Sequence, residues 1–341
     1  MKAALYYDKD KILVEDIPIP ELEDEDILIK TRVCGLCGTD LDKIIHKKVP
    51  EKTILGHEVA GDVVKVGKNV KKFKEKDKVV VAHHVPCLTC WFCMHGNYNL
   101  CSKFKINNLV PGGFSEYIRV KKESVEKATF FLPANLSYEE GIFFEPMACC
   151  LRAYTNSHFQ PGSVVMVLGL GPAGLLHIQI AKALGAKYVL ASDLIQNRLD
   201  KAKECGVDYV FPADDTELVK KVKKITNDFG VDLIIVAAGS KKAIMSAMEL
   251  SHPGGTVCLF ADCPSGEKIE IDPNLILHRE INIIGSYSST PQDQAIALDM
   301  ISKGIINVKS LISHLIPLNE IEKGVKLAIG KENTYKIIIV T

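Results

Sequence analysis

The apolar positions of this chain change their period once, near Ser163. Before that point, short alternating stretches are separated by Gly, Pro and charge. "DILIKTRV" (Asp26–Val33), "VAGDVVKVG" (Val59–Gly67) and "DKVVVAH" (Asp77–His83) read as strands, so residues 1 to about 150 predict a mostly β domain. From Ser163 on, apolar runs alternate with helical segments. "SVVMVLG", "YVLASD", "DYVFP", "VDLIIVAAG", "GTVCLFA" and "INIIGSYSS" give six strands. "GPAGLLHIQIAKALG", "QNRLDKAKECG", "DTELVKKVKKITNDFG" and "KKAIMSAMELS" give the helices between the first five of them. Buried strands alternating with helices predict an α/β fold with a doubly wound parallel sheet, and six strands suit a full dinucleotide-binding unit. The tail from Pro291 to Thr341 predicts two amphipathic helices and a last strand, "YKIIIVT". An apolar final strand needs a sheet to join, so the tail is expected to return to the first domain, leaving that domain discontinuous in sequence.

Composition narrows the function classes. Lys plus Arg and Asp plus Glu both number 42, so the formal net charge is zero. A nucleic-acid binder is expected to show a basic excess, which this chain lacks. The Lys-rich stretch Val64–Lys78 reads as a solvated loop and strand edge. No run of about 18 apolar residues predicts a membrane span. The first residues read as mature protein rather than a signal peptide, and a cytoplasmic location is expected. Eleven cysteines, an odd number with several tightly clustered, suit metal binding better than a secreted disulfide framework.

Three constellations carry chemistry. Cys87, Cys90, Cys93 and Cys101 form C-x2-C-x2-C-x7-C, a spacing with which four thiolates can surround one tetrahedral Zn²⁺. An iron–sulfur cluster obeys overlapping spacing rules and stays open as an alternative. Gly169, Gly171 and Gly174 form G-x-G-x-x-G between a predicted strand and a predicted helix, the context that marks a pyrophosphate-binding turn. Pro172 and Ala173 lie inside it. The helix N-terminus offers free N–H groups to the phosphates. Asp193 ends the next strand, where a carboxylate accepts both ribose hydroxyls of NAD and repels the 2′-phosphate of NADP. Arg198, five residues on, is either an adenine-stacking side chain or a surface helix residue. NAD is therefore favoured over NADP.

A chain that binds a nicotinamide cofactor must bring an alcohol or carbonyl to it, and a Lewis acid would stabilise the alkoxide. Catalytic zinc needs about three protein ligands and one open position. Cys37, His57 and a carboxylate, Glu58 or Glu145, meet that need. A carboxylate in a stretch as apolar as "IFFEPMA" is costly unless it is paired or ligating. Thr39, two residues after Cys37, is placed to take the substrate proton. Cys34 is read as a structural thiol.

The motifs "CGLCGTD", "GHEVAGDVVKVG", the four-cysteine lobe, "EPMACCLRA", "VLGLGPAGLL" and "SDLIQNRL" occur in one order over nearly the whole chain. In this the chain resembles the zinc-containing medium-chain dehydrogenases, and its sorbitol (polyol)/threonine dehydrogenase-like branch in particular. The resemblance implies a GroES-like catalytic domain from residues 1–150 and 286–341, with a structural zinc lobe at about 84–103. It implies a Rossmann NAD-binding domain from 151–285, with the catalytic zinc in the cleft between the domains. It implies Cys37 and His57 as zinc ligands and Glu145 in the third position. Glu58 matches a carboxylate that ligates directly in some members and stands behind the ligands in others. Phe260 and Ser288 fall on the cofactor side. Asp42 stands where many members carry a relay histidine, with His46 out of register. Ser288 replaces a basic residue of sorbitol dehydrogenases. The implied activity is zinc-dependent, NAD(H)-linked interconversion of a secondary alcohol of a polyol, sugar or sugar acid with its ketone. L-threonine 3-dehydrogenase or a simple secondary-alcohol dehydrogenase is the alternative. A small-molecule substrate, two zinc ions per chain and a homo-oligomer, tetramer favoured over dimer, are expected.

Overall fold

In the computed structural model, which describes every residue except 10, 107, 331 and 332, the change of period becomes a change of architecture. One unit comprises Met1–Ala148 and Ser289–Thr341, the other Cys149–Ser288.

The first unit is built on a seven-stranded sheet. Its main path runs Ile312–Pro317, Lys336–Val340, Ile27–Gly35, Glu58–Val66, Lys78–Val81, Thr129–Phe131, and Tyr117–Val120 pairs with Ile27–Gly35 off that path. Alternate residues of these strands, among them Ile27, Ile29, Val59, Val63, Val79, Ile118, Ile337 and Ile339, share one core cluster, as the period-2 pattern requires. Each such side chain contributes about 1.5–3 kcal/mol by leaving water. The last strand lies antiparallel to Val33–Gly35, with Ile339 opposite Cys34. Register fixes what gathers at one end of the sheet. Gly35 pairs with Glu58 and Val59 with Val81. The segments that follow Gly35, precede Glu58 and follow Val81 therefore emerge together, and they carry Cys37, His57 and His83.

Residues 87–101 form a separate lobe of little regular structure, a short helix Trp91–Met94 and a 3-10 turn Tyr98–Leu100. Its apolar cluster is only Cys93, Cys101 and Phe104 with partly buried neighbours.

The second unit holds a six-stranded parallel sheet in the order Tyr209–Pro212, Tyr188–Asp193, Val164–Leu168, Val231–Val236, Ser251–Leu259, Asn282–Gly285. These are the six strands expected, and the order reverses beside Val164–Leu168, where ligands bind such sheets. Helices Pro172–Ala183, Gln196–Glu204 and Lys241–Leu250 match expectation. The third helix is shorter than expected, Leu218–Ile225, because Asn227 and Asp228 turn to positive φ and end it. The helix Pro273–Arg279 was not anticipated. Asp272 caps it by accepting from the N–H of Asn274 at 2.9 Å, and Pro273 supplies a preset φ in the first turn.

Candidate active site

Cys37 is the N-cap of the helix Gly38–Ile45, which starts two residues after a central strand ends. Its N–H donates to Asp40 Oδ2 at 3.1 Å. Asp40 is fully buried, and its other oxygen accepts from the N–H of Gly56 at 3.3 Å and faces His57 Nδ1 at 3.3 Å. Burial works against charge on both members of this pair. Their mutual attraction and the Cys37 contacts outweigh it, holding Asp40 below the usual carboxylate range and His57 well above the usual histidine range. With Nδ1 turned to Asp40, His57 keeps Nε2 for a ligand. This carboxylate–imidazole pairing behind a metal-binding position orients the ring and raises its basicity.

The structure brings the expected residues together in two groups that share His57. Ligand atoms of Cys37, His57 and Glu58 lie within 4.8 Å of one another, and so do those of His57, His83 and Glu145. Thiol, imidazole and carboxylate are the donor set zinc takes, so these residues fit the metal. Thr39 is exposed in the first helical turn beyond Cys37. Asp42 accepts from Lys48 Nζ at 2.7 Å and bonds His46 Nδ1 at 3.0 Å one helical turn away, so His46 stands on the same helix face. Cys34 is buried, its thiol pushed well up by burial, and no disulfide joins any of the eleven cysteines.

Three residues escaped the sequence reading. Asp40 was quoted in "CGTD" without a role. Lys336, 2% exposed in the last strand, forms an ion pair with Glu58 Oε2. Burial opposes its charge, but Glu58 raises the ammonium above its usual range and keeps it protonated. Gly35, opposite Glu58, leaves room for the pair, since an added Cβ would run into the Glu58 carboxylate and lie 2.9 Å from Lys336 Cε. His83 follows the strand Lys78–Val81. A lysine opening an otherwise isoleucine and valine strand and a His-His pair just before the cysteine lobe were the available signals.

In the lobe, ligand atoms of Cys87, Cys90, Cys93 and Cys101 all lie within 4.8 Å of one another. Sγ–Sγ distances of 3.6 Å for Cys90–Cys93 and 3.9 Å for Cys87–Cys93 compare with about 3.8 Å between thiolates on one tetrahedral zinc. Hydrogen bonds from Thr89 and from the N–H of Cys90 pull the Cys87 thiol down to about 5, while burial and neighbouring thiols push Cys93 up to about 12. The first favours a thiolate, and the second marks a sulfur that needs a cation before it gives up its proton.

In the second unit, Gly169 turns with φ 97° and packs against Ala238, while Gly171 caps the helix that Pro172 and Ala173 open. A side chain at Gly174 would run into the Gly169 carbonyl oxygen, so helix and turn approach closely only with glycine there. Asp193 is buried and accepts from the N–H of Leu170 at 2.6 Å and of Ile195 at 2.9 Å. Its carboxylate thus stands beside the glycine turn. Arg198 Nη1 lies 3.7 Å from Asp193 Oδ2 with its side chain 14% exposed, so it is not a freely solvated helix residue. Phe260 follows the strand Ser251–Leu259 and meets the His177 ring edge-on at 4.6 Å. Ser288 adopts φ 58°.

Residues 172–303 match the zinc-binding dehydrogenase family, and residues 23–130 match the alcohol dehydrogenase GroES-like domain. The chain is 33% identical to a sorbitol dehydrogenase of Bacillus subtilis over 98% of its own length and 95% of that protein. It is 35% identical to a D-arabitol-phosphate dehydrogenase of Enterococcus avium over 91% and 89% of the two chains. Among solved structures, a zinc-binding dehydrogenase from Sinorhizobium meliloti 1021 bound to NADP superposes with a TM-score of 0.90. That protein is 31% identical, and the match covers 100% of this chain and 99% of the other. No helix among the described residues is long and apolar enough to cross a membrane.

Proposed function

Because the chain belongs to the zinc-dependent medium-chain alcohol and polyol dehydrogenases, in the sorbitol-dehydrogenase-like branch, we propose that it interconverts a secondary alcohol of a polyol, sugar or sugar acid, free or phosphorylated, with its ketone. The observation that carries this reading is that His57 shares one ligand group with Cys37 and Glu58 and another with His83 and Glu145, in a chain that also holds the glycine turn beside Asp193.

Cys37, His57 and Glu145 would hold the catalytic zinc, and the four lobe cysteines a structural one. Glu58 is the weaker candidate ligand because Lys336 already compensates its charge. When bound, zinc would supply a Lewis acid that lowers the pKa of the substrate hydroxyl, and the nicotinamide would supply the hydride acceptor. The protein does the rest. Asp40 fixes the His57 ring. The exposed Thr39 hydroxyl receives the substrate proton, and Asp42 with His46 lies one turn further along the helix for its passage to solvent. The amides of the Gly169–Gly174 turn and the N-terminus of Pro172–Ala183 bind phosphate. Asp193 accepts the ribose hydroxyls, which supports NAD over NADP, with Arg198, Phe260 and Ser288 on the cofactor side.

A homo-oligomer belongs to the same reading. Asn282–Gly285 is an edge strand flanked by exposed Leu277 and Tyr287, and an edge of this kind invites pairing with another copy. Sedimentation of the purified protein tests it, and a monomer would overturn it.

The deciding experiment is NAD⁺ and NADP⁺ reduction by the zinc-replete protein over polyols, polyol phosphates, sugar acids, threonine and simple secondary alcohols. Turnover of a polyol or its phosphate, lost with a chelator and restored by zinc, is the expected result. Turnover of threonine alone, or of none of them while cofactor and zinc are bound, overturns the polyol assignment.

A further inference from the structure

We propose that His83 is a fourth protein ligand of the metal that Cys37, His57 and Glu145 would hold. The inference rests on the metal reading above and adds a ligand to it.

The geometry is specific. Register places His83 at the sheet end where Cys37 and His57 emerge, because Val81 pairs with Val59. His83 Nδ1 is buried with no hydrogen-bond partner. A buried ring nitrogen left unpaired carries a desolvation cost that a bound ion would remove. The same nitrogen lies 3.7 Å from Glu145 Oε1. Two ligands of one tetrahedral zinc, each about 2.0–2.1 Å from the ion, stand about 3.4 Å apart. The ring is not free to turn away. His84 packs on it with centroids 3.6 Å apart, and His57 stands at 4.5 Å.

The competing fourth ligand is Glu58, and its carboxylate is already engaged by the buried ammonium of Lys336. His83 Nδ1 meets only the Glu145 carboxylate, at 3.7 Å.

The test uses full-length protein with zinc kept in the cysteine lobe and Co²⁺ placed in the other site. Thiolate-to-cobalt absorption reports Cys37, and paramagnetically shifted exchangeable imidazole N–H resonances count the bound histidines. Two such resonances are expected in the parent and one in His83→Phe, which keeps an aromatic ring against His84. Chelator competition should then show roughly tenfold or more weaker metal binding in the variant. One resonance in the parent, with thiolate absorption intact, overturns the proposal and leaves the metal reading standing. The same holds if His83→Phe changes only KM and leaves the spectra alone. No thiolate absorption in the parent overturns the metal reading itself. The parent count decides even if the variant fails to fold.

Discussion

Lys336 and Glu58 are both withdrawn from water, and each is tolerable only because of the other. Breaking a buried ion pair from one side strands a charge and costs about 3–5 kcal/mol, whereas replacing both partners by apolar groups is often close to neutral. Lys336→Met should therefore lower the urea unfolding midpoint sharply, and Lys336→Met with Glu58→Met should recover most of the loss. A double variant whose loss equals the sum of the losses of Lys336→Met and Glu58→Met alone would show that the two side chains are not coupled. Gly35→Ala tests the same spot from the backbone. The added methyl has nowhere to go but against the Glu58 carboxylate and the Lys336 stem. It should destabilise by about 1–3 kcal/mol on the same urea midpoint, as overpacking does.

The lobe and the glycine turn show two ways an element is held. The lobe has a core of three buried residues and little regular structure, too little to hold itself by burial. On the zinc reading its order would depend on the metal, as that of small zinc domains does. The chain's one tryptophan, Trp91, sits there, stacked on His95 at 4.3 Å. Chelation should lower Trp91 fluorescence anisotropy, with recovery on adding zinc; an unchanged signal in metal-free protein would mean that burial and hydrogen bonds suffice. The glycine turn is held by the protein alone, through the bond from Leu170 N–H to Asp193. Asp193→Asn keeps an acceptor for that bond and removes the charge. Hydrogen bonds to a charged group are worth about 1.5–3 kcal/mol, so NAD affinity should fall roughly tenfold or more. NADP affinity should not fall with it, because the repulsion of the 2′-phosphate goes too. Parallel losses for both cofactors, measured by titration, would assign Asp193 to the turn alone.

Across the whole molecule, what the sequence made legible is what repeats locally. The change of period separated the sheet types, and the glycine spacing marked its turn because strand and helix flank it. What stayed hidden depends on strands far apart in the chain: Lys336 Nζ approaches the carbonyl of Leu36 across 300 residues, and His83 reaches its neighbours only through the pairing of Val59 with Val81. Nor does periodicity reveal His177, which sat inside a run that reads as ordinary apolar helix. Its ring is fully buried in the second unit against Phe260 and Tyr154, and neither nitrogen has a hydrogen-bond partner. Burial pulls it down to about 3 from its ordinary value of 6.5. The sign follows from linkage. Above 6.5 neither folded nor unfolded chain protonates this histidine, and it contributes no pH dependence. Between 6.5 and about 3 the unfolded chain takes up a proton that the folded one refuses. Stability then falls with falling pH by up to about 1.4 kcal/mol per unit from this group alone. His177→Leu removes that term and leaves every other titrating group in place. Urea midpoints followed by circular dichroism at about pH 7 and about pH 5 should fall further in the parent than in the variant, by about 2 kcal/mol in stability. Parallel acid limbs in the two proteins would mean that the His177 ring reaches a proton partner when the solution is acid, and that this part of the core opens to water well before the chain unfolds.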